Sequence, residues 1–351
     1  MLLTQRCPIT KFTITINLSG YSTVSSYSDL YSASSFIRGF KEAILSRALL
    51  HSAIGLALLG SSCLLSGFMK IGFNLLLWST HFVESEFPIL EKLKAVGYDG
   101  VEVPIFVTSD LGHFEKIGEA LKNQGLKATA VTVIPDEEHN PLSANAEHRA
   151  GAVTHLKRVL DCAQAFGAET LCGPFYQPLG EFTGEGATEE ELSRAAEVHR
   201  EVATHAQNAG VVIGIESLNR FEAYFLNTIE QAAAYVKRVD HPNFGTMFDT
   251  FHANIEEKDP IGTLEANIEV IRHIHISEND RGTPGKGHCP IVETIQTAKK
   301  LGYDQWLTIE AFGRALPDLA AATRVWRDFF PSQEEVYTEG YKLIRETWDQ
   351  A

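Results

Sequence analysis

Residues 211–222, with the sequence VVIGIESLNRFE, decide the fold of this chain. The segment begins with a short apolar run of mostly β-branched residues, which is typical of a strand buried on both faces of a parallel sheet. The run ends in a carboxylate, Glu216, and a polar loop with Asn219, Arg220 and Glu222 follows at once. An acid at the carboxyl end of such a strand lies at the edge where α/β folds place their functional groups.

The same arrangement occurs three more times along the chain. Residues 244–249 (FGTMFD) end in Asp249, residues 271–277 (IRHIHIS) contain His275 near their end, and residues 306–310 (WLTIE) end in Glu310. These residues follow Glu216 at steps of roughly 25 to 35 residues, which is the period of a strand–helix unit. The spacing predicts that the four side chains meet at one end of a sheet.

From Met69 onwards, strand-like runs alternate with segments that have apolar residues at helical spacing. Eight β-then-α units in about 280 residues have the size and order of a (β/α)8 TIM barrel. The alternative is a doubly wound open sheet. Dinucleotide binding in such a sheet is unsupported, because no G-x-G-x-x-G motif follows the first strand. Helices are predicted at 317–329 and 334–348 after the last strand.

Residues 1–68 differ from the rest, because they carry a net charge of +3 against −18 for the remainder. One interpretation is a signal or membrane anchor at 48–68, an apolar stretch that follows Lys41 and Arg47. The other is that the chain begins in effect at Met69, where MKIGFNLLLW reads as a start followed by a first strand. We expect a disordered or spurious extension at 1–68 and one catalytic domain at 69–351.

The overall composition excludes several classes of protein. The formal net charge of −15 argues against a nucleic-acid partner, which would require a basic surface. The five cysteines are scattered without a C-x-x-C pair, so neither a disulfide framework nor a zinc ribbon is indicated. A reducing, cytoplasmic location is expected, and a membrane partner is not.

Three carboxylates and one imidazole at a single point would repel one another unless a cation lies between them. Oxygen ligands with one imidazole suit Mn²⁺, with Co²⁺ or Mg²⁺ as alternatives and zinc not excluded. Strand alternation supports the convergence, because His273 and His275 share one face while Ile274 and Ile276 share the other. We expect the polar face to line the barrel axis, with His273 as a core residue below the site.

Four motifs resemble those of a known family: GIESLNRFE (214–222), MFDTFHANIEE (247–257), HIHISENDRGTPGKGH (273–288) and LTIEAFG (307–313). Together they resemble the xylose isomerase-like sugar isomerases and epimerases, and more narrowly the D-tagatose/D-psicose (allulose) 3-epimerases. The resemblance extends from Met69 to the end of the chain and is weaker in the amino-terminal half, where the loop CGPFYQPLG differs among members. The preferred sugar therefore stays open.

The resemblance implies a set of site residues. The metal ligands fall on Glu216, Asp249, His275 and Glu310. The substrate-binding positions fall on Glu222, His252 and Arg281, and Trp78 in LLLWSTHF is a candidate for stacking against the sugar.

The resemblance also implies a metal-dependent ketose 3-epimerase that forms homodimers or homotetramers. A bound metal would polarise the ketose carbonyl, and Glu216 and Glu310 would exchange the C3 proton on opposite faces of a cis-enediolate. An aldose–ketose isomerase of the hydroxypyruvate or xylose isomerase type, and a polyol dehydratase, are the alternatives within this superfamily. A repair endonuclease is disfavoured by the acidic charge, and a non-catalytic sugar-binding barrel by the presence of both glutamates.

Overall fold

The computed structural model describes residues 2–6, 13–17 and 69–351, and for the first two segments only the backbone. The chain divides into two units, Met1–Ser66 and Gly67–Ala351. In the first unit, β1 (Leu2–Arg6) pairs antiparallel with β2 (Thr13–Asn17). The predicted apolar segment 48–68 lies outside the described residues, so the expectations for the extension stay predictions.

The second unit is a closed barrel of eight parallel strands, which confirms the predicted fold. The strands are β3 (Lys70–Asn74), β4 (Gly100–Pro104), β5 (Lys127–Val131), β6 (Ala168–Gly173), β7 (Val212–Ile215), β8 (Phe244–Asp249), β9 (Ile271–Ile276) and β10 (Trp306–Ile309). Each strand pairs with its neighbour in sequence, and β10 closes the ring by pairing with β3.

Helices surround the barrel. They are α1 (Pro88–Val96), α2 (Leu111–Gln124), α3 (Ala146–Ala165), α4 (Glu189–Ala209), α5 (Ile229–Val239), α6 (Thr250–Glu256), α7 (Pro260–Asn267), α8 (Ile291–Lys300), α9 (Pro317–Ala322) and α10 (Gln333–Gln350). Local sequence fixes their ends. Helix α4 begins with a capping box between Thr188 and Glu191 and ends at Gly210, whose left-handed backbone (φ 74°) closes the last turn.

Strand alternation divides the side chains as expected. Ile309 faces the helix layer, where α10 approaches so closely that a β-carbon at Gly340 would come within 2.6 Å of its Cδ1 atom. His273 and His275 lie on the opposite face, inside the barrel, and both are fully buried. The interior of the barrel therefore contains ionisable groups, while the apolar core lies between the strands and the helices.

Two elements differ from the sequence-based expectation. Helix α6 was missed, because it has only seven residues and begins directly after β8, with Asp249 as its N-cap. The predicted helix 317–329 is wrong in its second half, since α9 ends at Ala322 and Arg324 adopts a left-handed backbone (φ 61°). None of the helices in the described residues has the length and the apolar character of a membrane span.

At the amino-terminal end of the strands, one carboxylate joins its own strand to three others. Glu169 on β6 accepts hydrogen bonds from Lys70 Nζ (2.6 Å), Lys127 Nζ (2.9 Å) and Trp306 Nε1 (3.0 Å), which belong to β3, β5 and β10. Lys70 also lies over the Trp306 ring, 5.0 Å from its centroid. This cluster connects opposite sides of the barrel at the end remote from the predicted site.

Candidate metal centre and sugar site

The four predicted metal ligands meet at the carboxyl ends of four consecutive strands. Glu216 follows β7, Asp249 ends β8, His275 lies in β9 and Glu310 follows β10. All four are buried, with at most 5% of each residue exposed. Ligand atoms of Glu216, Asp249 and His275 lie within 4.8 Å of one another, and Glu310 Oε2 is 3.6 Å from His275 Nδ1.

The strand ladder positions these acids although two of them lie beyond the strand ends. The Glu216 backbone N–H donates to the Gly173 carbonyl (3.0 Å), and the Glu310 N–H donates to the Ile276 carbonyl (3.2 Å). Asp249 uses its two oxygens differently. Its Oδ1 caps α6 by accepting from the Phe251 N–H (2.7 Å), which leaves Oδ2 to face the site.

His275 presents a free nitrogen to these acids. Its Nε2 is hydrogen-bonded to Glu102 Oε1 at 2.7 Å. Its Nδ1 is buried without a hydrogen-bond partner among the described residues, and it lies 3.6 Å from both Asp249 Oδ2 and Glu310 Oε2. An unpartnered buried imidazole nitrogen that faces carboxylate oxygens fits a divalent cation bound by hard oxygen and nitrogen ligands.

The electrostatics of the site depend on burial and on crowding of like charges. Burial, together with the nearby Glu310 carboxylate, raises the pKa of Glu216 well above its usual range. Burial lowers the pKa of His275, but the carboxylates of Glu102 and Glu310 more than offset this and raise it well above its usual range. A cation bound at His275 Nδ1 would therefore replace a proton.

Arg281 enters the same group of carboxylates. Its Nη1 donates to Asp249 Oδ2 (2.9 Å) and Glu310 Oε2 (2.7 Å), and its guanidinium stacks on Phe251 at 3.9 Å from the ring centroid. Burial opposes its charge, but these carboxylates raise the pKa of Arg281 above its usual value. Arg281 reaches the site from a left-handed backbone, with φ of 62°.

His252 and Glu222 are linked through Asn219. The Asn219 backbone N–H donates to His252 Nδ1 (3.0 Å), and its side-chain Nδ2 donates to Glu222 Oε1 (2.6 Å). The other nitrogen of His252, Nε2, lies 2.9 Å from Arg281 Nη2 and 3.6 Å from Glu216 Oε1. The structure thus links Glu222, His252 and Arg281 to one another beside the carboxylates of the site. Burial lowers the pKa of His252.

Trp78 is half-buried directly after the turn that follows β3. Its ring lies 5.0 Å from the Phe73 ring and 6.1 Å from the Tyr337 ring, between centroids. These contacts support a packing role for at least one side of the indole, and its stacking against a sugar stays a prediction.

Two site residues were missed by sequence reasoning. Glu102 in β4 is fully buried beside His275, and Asn74 at the end of β3 donates to both Glu102 and Glu310. The signal for Glu102 was present in the strand GVEVPI, because an acid within a buried apolar strand requires partners inside the barrel. Asn74 gave no comparable signal.

The chain belongs to the xylose isomerase-like TIM barrel family, which matches residues 90–347. More particularly, it is 31% identical over 285 residues to a probable ketose 3-epimerase from Synechocystis sp., an alignment that covers 80% of this chain and 97% of the relative. It is also 31% identical over 281 residues to a ketose 3-epimerase from Arthrobacter globiformis, covering 79% of this chain and 96% of that protein.

A solved structure agrees with these relatives. The D-psicose 3-epimerase from Clostridium cellulolyticum H10, determined with D-tagatose, superposes with a TM-score of 0.72 at 26% identity. The match covers 80% of this chain and 99% of that structure. The resemblance inferred from the motifs is therefore confirmed.

Proposed function

We propose that this protein is a divalent metal-dependent ketose 3-epimerase that interconverts free ketoses by removing and returning the proton at C3. The main support is the placement of two carboxylates, Glu216 after β7 and Glu310 after β10, on either side of Asp249 and His275. Epimerisation requires an acid/base group on each face of a planar intermediate. The epimerase relatives favour this function over an aldose–ketose isomerase or a polyol dehydratase.

The residues of the site would have separate roles in this reaction. Glu216, Asp249, His275 and Glu310 would hold the metal, which would act as a Lewis acid towards the carbonyl next to C3. One glutamate takes the C3 proton and the other returns a proton to the opposite face, through a cis-enediolate. Arg281 and His252 hold substrate oxygens close to the developing negative charge, and Glu222, fixed by Asn219, orients the substrate.

Manganese is the metal that we propose, with Co²⁺ or Mg²⁺ as substitutes. Three carboxylates and one imidazole form a hard donor set that suits these ions better than a thiolate-selected metal. The cytoplasmic location and the homodimeric or homotetrameric state stay predictions from the sequence. Size-exclusion chromatography with light scattering would test the oligomeric state.

Residues 279–289, which include the glycine-rich loop, favour a free sugar over a sugar phosphate as the substrate. Backbone amides that could hold a phosphate already donate to the buried Glu278 carboxylate. They belong to Asn279 (3.1 Å), Gly285 (2.9 Å) and Cys289 (2.9 Å). Because an internal anion satisfies these donors, the loop offers them to no substrate phosphate.

The test is proton exchange in D₂O with Mn²⁺ and, in separate samples, D-fructose, D-tagatose, D-allulose and L-ribulose, followed by NMR. We expect deuterium at C3 and formation of the 3-epimer, and the rates will rank the sugars. Deuterium at C1 or C2 with an aldose product would instead assign the chain to the aldose–ketose isomerases. The absence of exchange with all four sugars would contradict the proposal, and polyol dehydration would be tested next.

A further inference from the structure

A buried carboxylate that contacts no predicted substrate-binding residue lies below the metal centre. Glu102 is in the middle of β4, and none of its surface is exposed. Its Oε1 accepts from His275 Nε2 (2.7 Å) and Asn74 Nδ2 (2.9 Å). Its Oε2 accepts from Thr129 Oγ1 (2.8 Å) and Cys172 Sγ (3.1 Å). A buried carboxylate with four donors is held in one orientation as an anion.

The hydrogen bond to Glu102 determines how His275 faces the metal centre. A neutral imidazole has one N–H and one lone pair. Because the Glu102 carboxylate can only accept, Nε2 keeps its proton, and in the neutral form that would bind a metal the lone pair is on Nδ1, the nitrogen that faces Asp249 and Glu310. Without this acceptor, either nitrogen could take the proton, and the ring would lose its orientation.

Glu102 also reaches Glu310 through Asn74. The Asn74 Oδ1 accepts from the Leu76 N–H (2.9 Å), which fixes which end of the amide is the donor. Its two N–H groups then go to two carboxylates, Glu102 Oε1 and Glu310 Oε1, each at 2.9 Å. The Asn74 amide group thus connects the buried Glu102 carboxylate to Glu310, the predicted catalytic carboxylate, and each of its two hydrogens has an acceptor.

We propose that Glu102 is a positioning residue that orients His275 directly and Glu310 through Asn74, and so prepares the site for its divalent metal. This inference deepens the proposed function and rests on it for the reaction, but the effect on metal affinity can be measured without any turnover. It assigns to β4 a part in a site whose predicted ligands all come from β7 to β10.

The same region offers a competing interpretation. Glu102, Cys172, His273 and His275 have ligand atoms within 4.8 Å of one another, as a second cation site would require. However, the Glu102 oxygens and His275 Nε2 are already engaged in hydrogen bonds to one another and to Thr129 and Asn74, and His273 Nε2 also lies 2.9 Å from Glu102 Oε2. We therefore expect one divalent cation per chain, not two.

The experiment measures Mn²⁺ binding to the metal-stripped full chain by isothermal titration calorimetry. We expect a stoichiometry of one, and Glu102→Gln should weaken the affinity about 10- to 100-fold. Glu169→Gln is the matched control, because it makes the same carboxylate-to-amide change at the opposite end of the barrel. The control should bind Mn²⁺ with the wild-type Kd. The Co²⁺-loaded proteins, compared by visible absorption, should show an altered ligand field in Glu102→Gln alone.

Glu102→Asp keeps the charge and shortens the side chain, so it provides a second test if Glu102→Gln does not fold. It should also weaken Mn²⁺ binding and lower kcat more than it changes KM. Wild-type Mn²⁺ affinity in a folded Glu102→Gln or Glu102→Asp variant would overturn the proposal, as would two bound cations per chain. If wild type binds Mn²⁺ but exchanges no C3 proton, the proposed function fails, and the Glu102 inference is still tested by the affinities.

Discussion

The two ends of the barrel treat negative charge in opposite ways. At the amino-terminal end, the single carboxylate of Glu169 receives two lysine ammonium groups and an indole N–H. At the carboxyl end, three buried carboxylates share Arg281 and the imidazoles of His275 and His252. The first arrangement is complete without any ligand, whereas the second is short of positive charge. The amino-terminal end is therefore satisfied by its own side chains, whereas the carboxyl end would gain from the positive charge of the proposed metal ion.

Replacing either of the two glutamates that we propose as acid/base groups should give the largest effect. Glu216→Gln and Glu310→Gln should each lower kcat about 100- to 10,000-fold, because each removes one acid/base group. The free energy of unfolding should not fall in Glu216→Gln, because the Glu216 carboxyl is crowded by Glu310. It should fall in Glu310→Gln, which weakens the ion pair with Arg281. Proton exchange at C3 by NMR and urea unfolding would measure the two quantities. Near-wild-type activity in either variant would exclude the two-base mechanism.

Removing the metal should have the next largest effect. A chelator should lower activity at least about 100-fold, because Lewis-acid stabilisation is worth several kcal/mol. Added Mn²⁺ or Co²⁺ should restore activity. The melting temperature should also fall on chelation, because a ligand that binds only the folded state stabilises it. Full activity and an unchanged melting temperature in excess chelator would show that no metal ion is needed at the carboxyl end of the barrel.

The opposite end should affect stability alone. Glu169→Gln should lower the free energy of unfolding by about 1–2 kcal/mol, because partly exposed charged hydrogen bonds to two lysines are weakened. The exchange rate at C3 should stay at the wild-type value in the folded protein. Thermal melting followed by circular dichroism, beside the activity assay, measures both. A loss of activity without a loss of stability would abolish the contrast between the two ends.

The helix layer contains a buried histidine, His199, that gives the protein a pH response separate from that of the site. His199 in α4 is buried, with Nδ1 2.5 Å from the Tyr235 hydroxyl and Nε2 3.1 Å from the Phe175 carbonyl, and burial lowers its pKa to about 4. The unfolded chain, with a pKa near 6.5, binds more protons between these values. The contribution of neutral His199 to the free energy of unfolding is therefore complete above pH 6.5 and is lost as the pH falls towards 4.

The predicted size of this effect is about 2 kcal/mol at pH 5 relative to pH 8. His199→Gln should be less stable than wild type at pH 8, and the difference should shrink by about that amount at pH 5. Urea unfolding of both proteins at the two pH values measures it. The same stability difference between wild type and His199→Gln at both pH values would show that protonation of His199 does not destabilise the folded protein at acid pH.

The smallest effect is expected from deleting residues 1–68. We propose that residues 69–351 form the catalytic domain, since the eight strands and the site lie within them. The shortened chain should keep the melting temperature and the C3 exchange rate of the full chain. If it is insoluble while the full chain is soluble, the segment 1–68 is needed for the stability of the full chain.

Sequence reasoning found the parts of the site that local pattern encodes. Glu216, Asp249 and Glu310 each end an apolar run, so their place at the carboxyl edge followed from the strand pattern. Glu102 was missed because its partners come from β3, β5, β6 and β9, which only barrel closure brings together. Asn74 was missed because MKIGFNLLLW read as a start followed by one continuous strand, whereas the strand ends at Asn74 and the chain turns at Leu75–Leu77.

The left-handed backbone of Arg281 has a consequence for laboratory evolution. A residue other than glycine with φ of 62° costs about 1–2 kcal/mol of folding free energy. Arg281→Gly would relieve that cost but would remove the guanidinium that bridges Asp249 and Glu310. Removing one partner of a buried ion pair costs about 3–5 kcal/mol, which is more than the backbone strain that glycine would relieve. Selection for heat resistance alone would therefore keep this arginine, and a library screened only for stability would still retain this part of the site.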